Sequence, residues 1–244
     1  MASTPGAAPQ VGQVLGRSIL LWVRNGRVCW LFPLILMLPY LFAERVLDQL
    51  EAANGGVDPW AALVGLVLGV PTLAVVQGTV SAAALRWAQG RVTPSGKQLV
   101  GQVWSLLPSL VLVTLCTYGV ALLPYLRTHV LLLIVPGLLA FTLLWLAVPT
   151  LISEPELTGF EALVRSVQVT RPHWWRLLPL ALLVPALGIA LLYPLAAIGD
   201  EPGLDVTALQ LLVEAAGVGI LTLQAVAQSL TYHQIHGLPP PPRA

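Results

Sequence analysis

Long apolar stretches, each bounded by charged side chains, dominate this chain. No Asp, Glu, Lys or Arg lies inside the intervals 58–86, 97–127, 127–154 and 176–200. Each interval is long enough for a helix that crosses a bilayer, which needs about 20 predominantly apolar residues. A fifth stretch, 207–232, is interrupted only by Glu214, and a sixth, 28–43, is the shortest. The pattern predicts an all-α integral membrane protein with six transmembrane helices.

The composition places the chain in the same class. Hydrophobic residues make up 57% and charged residues 9% of the 244 positions, whereas soluble domains carry about 25% charged residues. The mean hydropathy is +0.82. A net charge of +1 gives no electrostatic footprint for nucleic acid, so nucleic-acid binding is not expected.

Basic residues predict the orientation, because cytoplasmic loops carry the excess of Lys and Arg. With six spans, only Arg45 and Arg127 fall on one side. The other side holds Arg17, Arg24, Arg27, Arg86, Arg91, Lys97, Arg165, Arg171, Arg176 and Arg243. This asymmetry predicts that both termini are cytoplasmic.

An internal repeat accompanies the spans. An amphipathic stretch precedes spans one, three and five, and each stretch runs past a Trp to a proline. These prolines, Pro33, Pro108 and Pro179, lie 75 and 71 residues apart, which fits one interfacial helix plus one helical hairpin per repeat. The predicted repeats are 11–93, 94–157 and 158–236. They are flanked by a disordered N-terminus, 1–10, and a Pro-rich tail, 237–244.

The third amphipathic stretch carries the clearest surface helix. Thr158 and Glu161 form a predicted capping box at its start. Apolar residues then follow helical spacing on one face, at Phe160, Leu163, Val164 and Val167. Candidate contacts to anionic headgroups or to a partner are Arg165, Arg171, Trp174, Trp175 and Arg176. Two interpretations stay open: these helices only anchor the bundle, or they form a platform for lipids or partner proteins.

The same stretch resembles a known family. The residues Glu154, Phe160 to Leu163, Arg165-Ser166, Thr170-Arg171 and Trp174 to Leu178 are similar to the signature of the membrane domain beside some glycerophosphoryl diester phosphodiesterases. Free-standing YciC-type bacterial membrane proteins share this pattern. Gly16 to Ser18 and Trp22 to Pro33 resemble the family's N-terminal stretch, whereas Pro172 departs from its pattern and is expected to kink or end the helix. The resemblance implies a six-span bacterial inner-membrane domain, and it does not imply phosphodiesterase activity.

Polar residues inside the spans are the second candidate site. Glu214 is the only charged residue within a predicted span, and such residues are expensive in hydrocarbon. Steps of four and three put it on one face of the last helix with Gln210, Gly217, Leu221, Gln224 and Gln228. Span two offers Gln77 as a partner, with Thr72, Thr79 and Ser81 nearby. This face is interpreted as structural packing, as a proton or solute pathway, or as an interaction face for another membrane protein.

Signatures of catalysis are missing from the sequence. It contains no GxSxG, HExxH, P-loop or GxGxxG motif. The pair His233 and His236 lacks a third ligand nearby, so neither a metal nor another cofactor is expected. The sequence therefore predicts a non-catalytic membrane protein with a scaffolding, assembly or regulatory role. Its expected partners are membrane lipids, another protein or further copies of itself. The alternative is a small permease or transporter component with its pathway along the Glu214 face.

Overall fold

Helices make up nearly all of the described chain. The computed structural model describes residues 10–54, 59–92, 95–122, 130–198 and 206–236. Within those ranges 91% of residues are helical and none lies in a strand, which confirms the predicted all-α class. Nearly all of the predicted terminal segments, 1–9 and 237–244, lies outside the described residues. The helices are α1 (Val11–Arg24), α2 (Phe32–Asn54), α3 (Pro59–Ala88), α4 (Gly96–Ser105), α5 (Leu107–Leu122), α6 (Val130–Leu144), α7 (Ala147–Ser153), α8 (Gly159–Thr170), α9 (Trp174–Ile198) and α10 (Val206–His236).

Several of these helices are long and apolar enough to cross a membrane. Leu66–Ala88, Val135–Ser153 and Leu211–His236 each meet that condition alone. Two further pairs, Val11–Arg24 with Arg27–Ala43 and Gly96–Ser105 with Leu107–Tyr118, meet it jointly but are bent by 86° and 79°. The described residues thus contain three to five candidate spans, which fits a membrane protein.

The centre of the bundle is the pair α3 and α10. These helices pack along each other, and α3 also contacts α2, α5 and α7, while α10 contacts α1 and α9. Fully buried small residues lie on both helices, including Ala83 and Ala84 on α3 and Ala225 and Ala227 on α10. Small side chains let helix backbones approach closely, which favours association in lipid, where apolar burial supplies no driving force.

Large apolar side chains cover much of the outer surface. A soluble monomer rarely exposes contiguous apolar patches above a few hundred Å². Here the exposed large residues occur on nearly every long helix, including Leu20, Ile35, Leu38, Phe42, Leu66, Val67, Leu112, Val135, Leu187 and Leu211. Such a surface suits hydrocarbon better than water.

Each amphipathic helix ends before the proline of its stretch. α1 ends at Arg24, and a π-helical turn, Arg27–Leu31, leads into α2. α4 ends at Ser105, so that Pro108 is the second residue of α5, a position where a missing N–H costs no helical hydrogen bond. α8 ends at Thr170 and a 3₁₀ turn, Arg171–His173, follows. The expectation that Pro172 ends the surface helix is therefore confirmed.

Aromatic side chains fix the first break against α10. The rings of Trp22 and Trp30 lie 4.4 Å apart between centroids, and Trp22 Nε1 donates a 3.0 Å hydrogen bond to Thr222 Oγ1. A Cβ atom on Gly219 would lie 2.8 Å from the ring of Trp30. The absence of a side chain at Gly219 thus lets the bend rest directly on α10.

Candidate functional site

A buried hydrogen-bonded cluster joins the three helices α3, α5 and α10. The side-chain amides of Gln77 and Gln224 both donate to the hydroxyl oxygen of Tyr118, the latter at 3.5 Å. Gln77 and Gln224 are 1% and 4% exposed, so Tyr118 satisfies groups that have no access to solvent. We call these three residues the polar seam.

Small polar side chains extend the contact between α3 and α10 beyond the polar seam. Ser229 Oγ donates to the carbonyl oxygen of Ala225 at 2.8 Å and reaches that of Ser81 at 3.4 Å. The hydroxyl of Thr79 is bonded within its own helix. Both hydroxyls thus bond carbonyls of their own helices, and Ser229 also reaches the backbone of α3.

Further buried oxygens lie on the same three helices without a protein hydrogen-bond partner among the described residues. They are Gln77 Oε1, Ser81 Oγ, Thr114 Oγ1, Thr117 Oγ1 and Gln228 Oε1. A buried polar group without a partner costs about 1–3 kcal/mol. The region around the polar seam therefore has hydrogen-bonding capacity that the protein itself does not use.

The predicted polar face of α10 is divided along the helix. Glu214 is half-buried and precedes Gln224 by ten residues, a rise of about 15 Å. Gln228 is 1% exposed and lies one turn beyond Gln224 on the other side. The structure thus brings Gln77 and Gln224 together at Tyr118 and leaves Glu214 at a different level. The side chain of Gln210 lies outside the described residues.

Charged side chains meet where α7 and α10 end. Tyr232 donates a 2.9 Å hydrogen bond to Glu154 Oε1, and Arg165 Nε on α8 lies 3.8 Å from the same oxygen. Because Gln224, Gln228 and Tyr232 follow steps of four on α10, polar side chains form a line from the polar seam to this Glu154–Arg165 pair.

Basic residues from several helices lie at the same end of the bundle. The charge of Arg17 on α1 acts on His233 near the end of α10. Arg86 near the end of α3 donates a 3.3 Å hydrogen bond to Gln102 on α4. Arg165 on α8 lies at this end too. Residues of α1, α4 and α8, the three predicted amphipathic helices, thus meet at one end of the bundle, which we call the basic end.

The basic end carries an exposed aromatic and basic surface at α8 and the start of α9. Phe160 is 67% exposed, Trp174 41% and Trp175 57%. The Arg176 guanidinium lies 4.6 Å from the centroid of the Trp175 ring, a cation–π geometry. We call the set Phe160, Val164, Arg165, Arg171, Trp174, Trp175 and Arg176 the surface shelf.

The buried face of α8 coincides only in part with the predicted apolar face, which contributes Leu163 to it. Phe160 and Val164 are exposed, whereas Ala162, Ser166 and Thr170 are fully buried against the bundle. Ser166 Oγ donates a 2.9 Å hydrogen bond to the carbonyl oxygen of Leu143. Small residues and Leu163 therefore seat the helix on α5 to α7, and Phe160 and Val164 face outward.

The start of α8 has the predicted capping box. Thr158 Oγ1 accepts from the Glu161 N–H, and the Thr158 N–H donates to Glu161 Oε2 at 2.7 Å. Hydrogen bonds from the Thr158 backbone and then from its hydroxyl lower the pKa of Glu161 below its usual 4.5. A second box, at Ser95 and Gln98, begins α4.

His236, the second histidine of the pair at the end of α10, packs against an aromatic ring. The rings of Tyr232 and His236 lie 4.3 Å apart between centroids. Within the described ranges, no three side chains of His, Cys, Asp or Glu come close enough together to hold a metal ion.

No family model, curated protein or solved structure matches this chain. The resemblance to the phosphodiesterase-associated membrane domain therefore stays a prediction from its short motif.

Tyr118 is the main site residue that the sequence did not single out. One signal was available, because Thr114, Thr117 and Tyr118 form a polar group within the charge-free interval 97–127. Helical spacing alone did not show that this group meets Gln77 and Gln224, which depends on how α5 packs against α3 and α10.

Proposed function

We propose that this chain is a non-catalytic, multi-pass protein of the bacterial cytoplasmic membrane that scaffolds, assembles or regulates lipids or partner proteins. The proposal includes six transmembrane helices in three repeats. It is supported by the recurrence of one arrangement along the chain, an amphipathic helix followed by a break and an apolar helix. This arrangement occurs at α1–α2, α4–α5 and α8–α9.

Both termini are proposed to be cytoplasmic, with the basic end facing the cytoplasm. Arg17, Arg86 and Arg165 contribute to interactions at that end, and Lys and Arg are enriched on the cytoplasmic side of membrane proteins. Anionic lipids on that side attract such residues by about 1 kcal/mol each.

The surface shelf is the observation that carries the proposed role. Its tryptophans are exposed beside Arg171 and Arg176, and indole rings favour the layer between headgroups and acyl chains. The inner face of α8 is already occupied by the bundle. The outer face is therefore the part of this helix that lipids or a partner would contact.

Lipid retention tests this role directly. The full chain is purified in mild detergent and titrated with phosphatidylglycerol or phosphatidylcholine, and bound lipids are counted by native mass spectrometry. We expect preferential retention of phosphatidylglycerol and a loss of that preference on replacing Arg165, Arg171 and Arg176 with Gln. At about 1 kcal/mol per arginine, affinity should fall roughly 100-fold.

A control removes the same charge elsewhere on the chain. Replacing Arg24, Arg27 and Lys97, which are exposed, with Gln should weaken binding less than the shelf variant. A stoichiometric protein partner that copurifies with the wild type and is lost from the shelf variant would also support the proposal. Equal lipid retention by all three proteins, together with no such partner, rejects it.

A small permease or transporter component is a second candidate. The unsatisfied oxygens around the polar seam and the polar line from Gln224 to Tyr232 favour it. Proton flux into vesicles that contain the purified chain and a pH-sensitive dye tests this pathway. This second candidate predicts flux above that of protein-free vesicles, reduced by Glu214→Gln or Gln224→Leu and retained by Thr72→Val. Flux no greater than in protein-free vesicles contradicts a proton pathway.

A further inference from the structure

A polar cavity of about 270 Å³ opens at the basic end, and none of its lining residues belongs to the surface shelf. The ends of α3 and α7 and the middle of α4 enclose it. Its lining residues are Ala82, Leu85, Arg86, Gln89, Arg91, Gln102, Ile152 and Ser153. We call it the basic cavity.

The turn after α3 brings the two arginines of the basic cavity together. Gly90 has φ +71°, a conformation that glycine adopts without steric cost. The Arg91 N–H donates to the Arg86 carbonyl oxygen at 2.8 Å, and the Gly90 N–H donates to that of Trp87 at 3.0 Å. This is a Schellman motif, and it folds Arg91 back beside Arg86.

The positive charge of this pair is not balanced within the cavity. None of the described lining residues is acidic, and the sequence contains no Asp or Glu from 59 to 153. The next acid, Glu154, interacts with Tyr232 and Arg165 instead. The α3 dipole offsets a charge at its C-terminus by only about 0.3–1 kcal/mol when exposed.

The cavity also offers an excess of hydrogen-bond donors. Each guanidinium carries five N–H donors, and the contact from Arg86 to Gln102 uses one of them. The amide of Gln89 adds further donors at the wall. Planar, forked guanidinium groups match the oxygens of phosphate, often in bidentate geometry.

We propose that the basic cavity binds a phosphate group, presented either by an anionic lipid headgroup or by a soluble phosphate. The volume suits a small headgroup, since pockets for drug-sized ligands start at about 300 Å³. This inference goes beyond the proposed function, because Arg86 and Arg91 belong to neither α8 nor α9. The cavity proposal and the shelf proposal are tested with different arginine variants, so either one can fail while the other stands.

Two binding arms identify the source of the phosphate. The full chain in nonionic detergent at constant ionic strength is titrated with inorganic phosphate by calorimetry, and separately with phosphatidylglycerol by native mass spectrometry. Saturable phosphate binding assigns a soluble anion, whereas lipid retention without phosphate binding assigns a headgroup. In either arm we expect Arg86→Gln and Arg91→Gln to weaken binding about tenfold or more, the usual effect of losing a charge-assisted hydrogen bond.

Matched variants separate a built site from a diffuse charge effect. Lys97→Gln removes an exposed charge near the start of α4 and should change affinity by less than about twofold, because exposed charges are screened. Arg91→Gln leaves the backbone bonds of the turn in place, and melting without ligand checks folding. The proposal is overturned if neither anion binds, if both arginine variants bind like wild type, or if Lys97→Gln weakens binding equally.

Discussion

At the scale of single residues, Tyr118 on α5 links the side chains of two other helices. Its oxygen accepts from Gln77 on α3 and from Gln224 on α10. In a water-soluble core, removing an acceptor from a buried donor costs about 1–3 kcal/mol. In membranes the measured interhelical value averages about 0.6 kcal/mol, because the unfolded helices also find partners. The membrane value is the appropriate one here.

Tyr118→Phe should therefore lower stability by about 1 kcal/mol, since two amide donors lose one acceptor. The measurement is the thermal unfolding midpoint in detergent. Thr72→Val is the control, because the Thr72 hydroxyl bonds only the Leu68 carbonyl of its own helix among the contacts described. If both variants unfold at the same temperature as the wild type, Tyr118 does not join these helices energetically.

The sequence predicted part of this site for a clear physical reason. Helical periodicity and the charge-free intervals of the sequence identify polar positions within one helix, so Gln77, Gln224 and Gln228 could be selected. They do not determine which helices are neighbours, so Tyr118 was missed. Sharing one face also does not bring residues together, because about 15 Å of helix separates Glu214 from Gln224.

At the scale of elements, the seating of α8 depends on a close approach at its first residue. A Cβ atom on Gly159 would lie 2.8 Å from the Ser109 carbonyl oxygen and 3.1 Å from the Ser109 Cα. Backbone atoms cannot move aside as a flexible side chain can. The N-terminus of α8 is thus fixed against α5 by the absence of a side chain.

Gly159→Ala should destabilise the protein by about 1–3 kcal/mol, the usual effect of overpacking. Gly101→Ala on α4 is the matched control, because no atom lies within 4 Å of the added Cβ. Alanine is favoured over glycine in a helix by about 0.8–1 kcal/mol, so this variant should melt at or above the wild-type temperature. A Gly159→Ala protein that melts like the Gly101→Ala protein contradicts the close packing.

The two capping boxes should respond differently to pH. Glu161 has a pKa below 4.5 in the folded state, so its stabilisation is complete above about pH 4.5 and is lost as pH falls through the folded pKa. Glu161→Gln keeps the box but does not titrate, as Gln98 shows at α4. Melting from pH 6 to pH 3 should therefore bring wild type closer to the variant. A difference that is independent of pH would exclude this effect.

How much of α8 the sequence could predict depends on whether water or lipid surrounds the helix. Its capping box and its end near Pro172 follow from local chemistry and were predicted correctly. Its apolar spacing did not by itself identify the face that packs on the bundle, because beside lipid an apolar side chain can lie on either side of the helix. Beside lipid, Phe160 and Val164 are acceptable outside, and small Ala162 and Ser166 take the inner positions.

At the scale of the whole molecule, the basic end is the feature that a membrane would orient. The long helices α3 and α10 both finish there, beside Arg86 and Tyr232. Charge counts along the sequence place these residues on one predicted side, and the packing independently brings several of them to one end. The proposed topology has six membrane crossings and puts the basic end on the cytoplasmic side.

Site-directed labelling in whole cells tests that orientation. In a variant with Cys29→Ser and Cys116→Ser, single cysteines are introduced at Val92, which is 90% exposed, at Gln168 on the outer side of α8, and at Gly203. Six spans predict that an impermeant maleimide labels the Gly203→Cys protein from outside, and the other two only after the membrane is opened. Since Val92 and Gln168 belong to the same end, both must respond alike. Labelling of one but not the other in intact cells would show that the chain crosses the membrane a different number of times between α3 and α8.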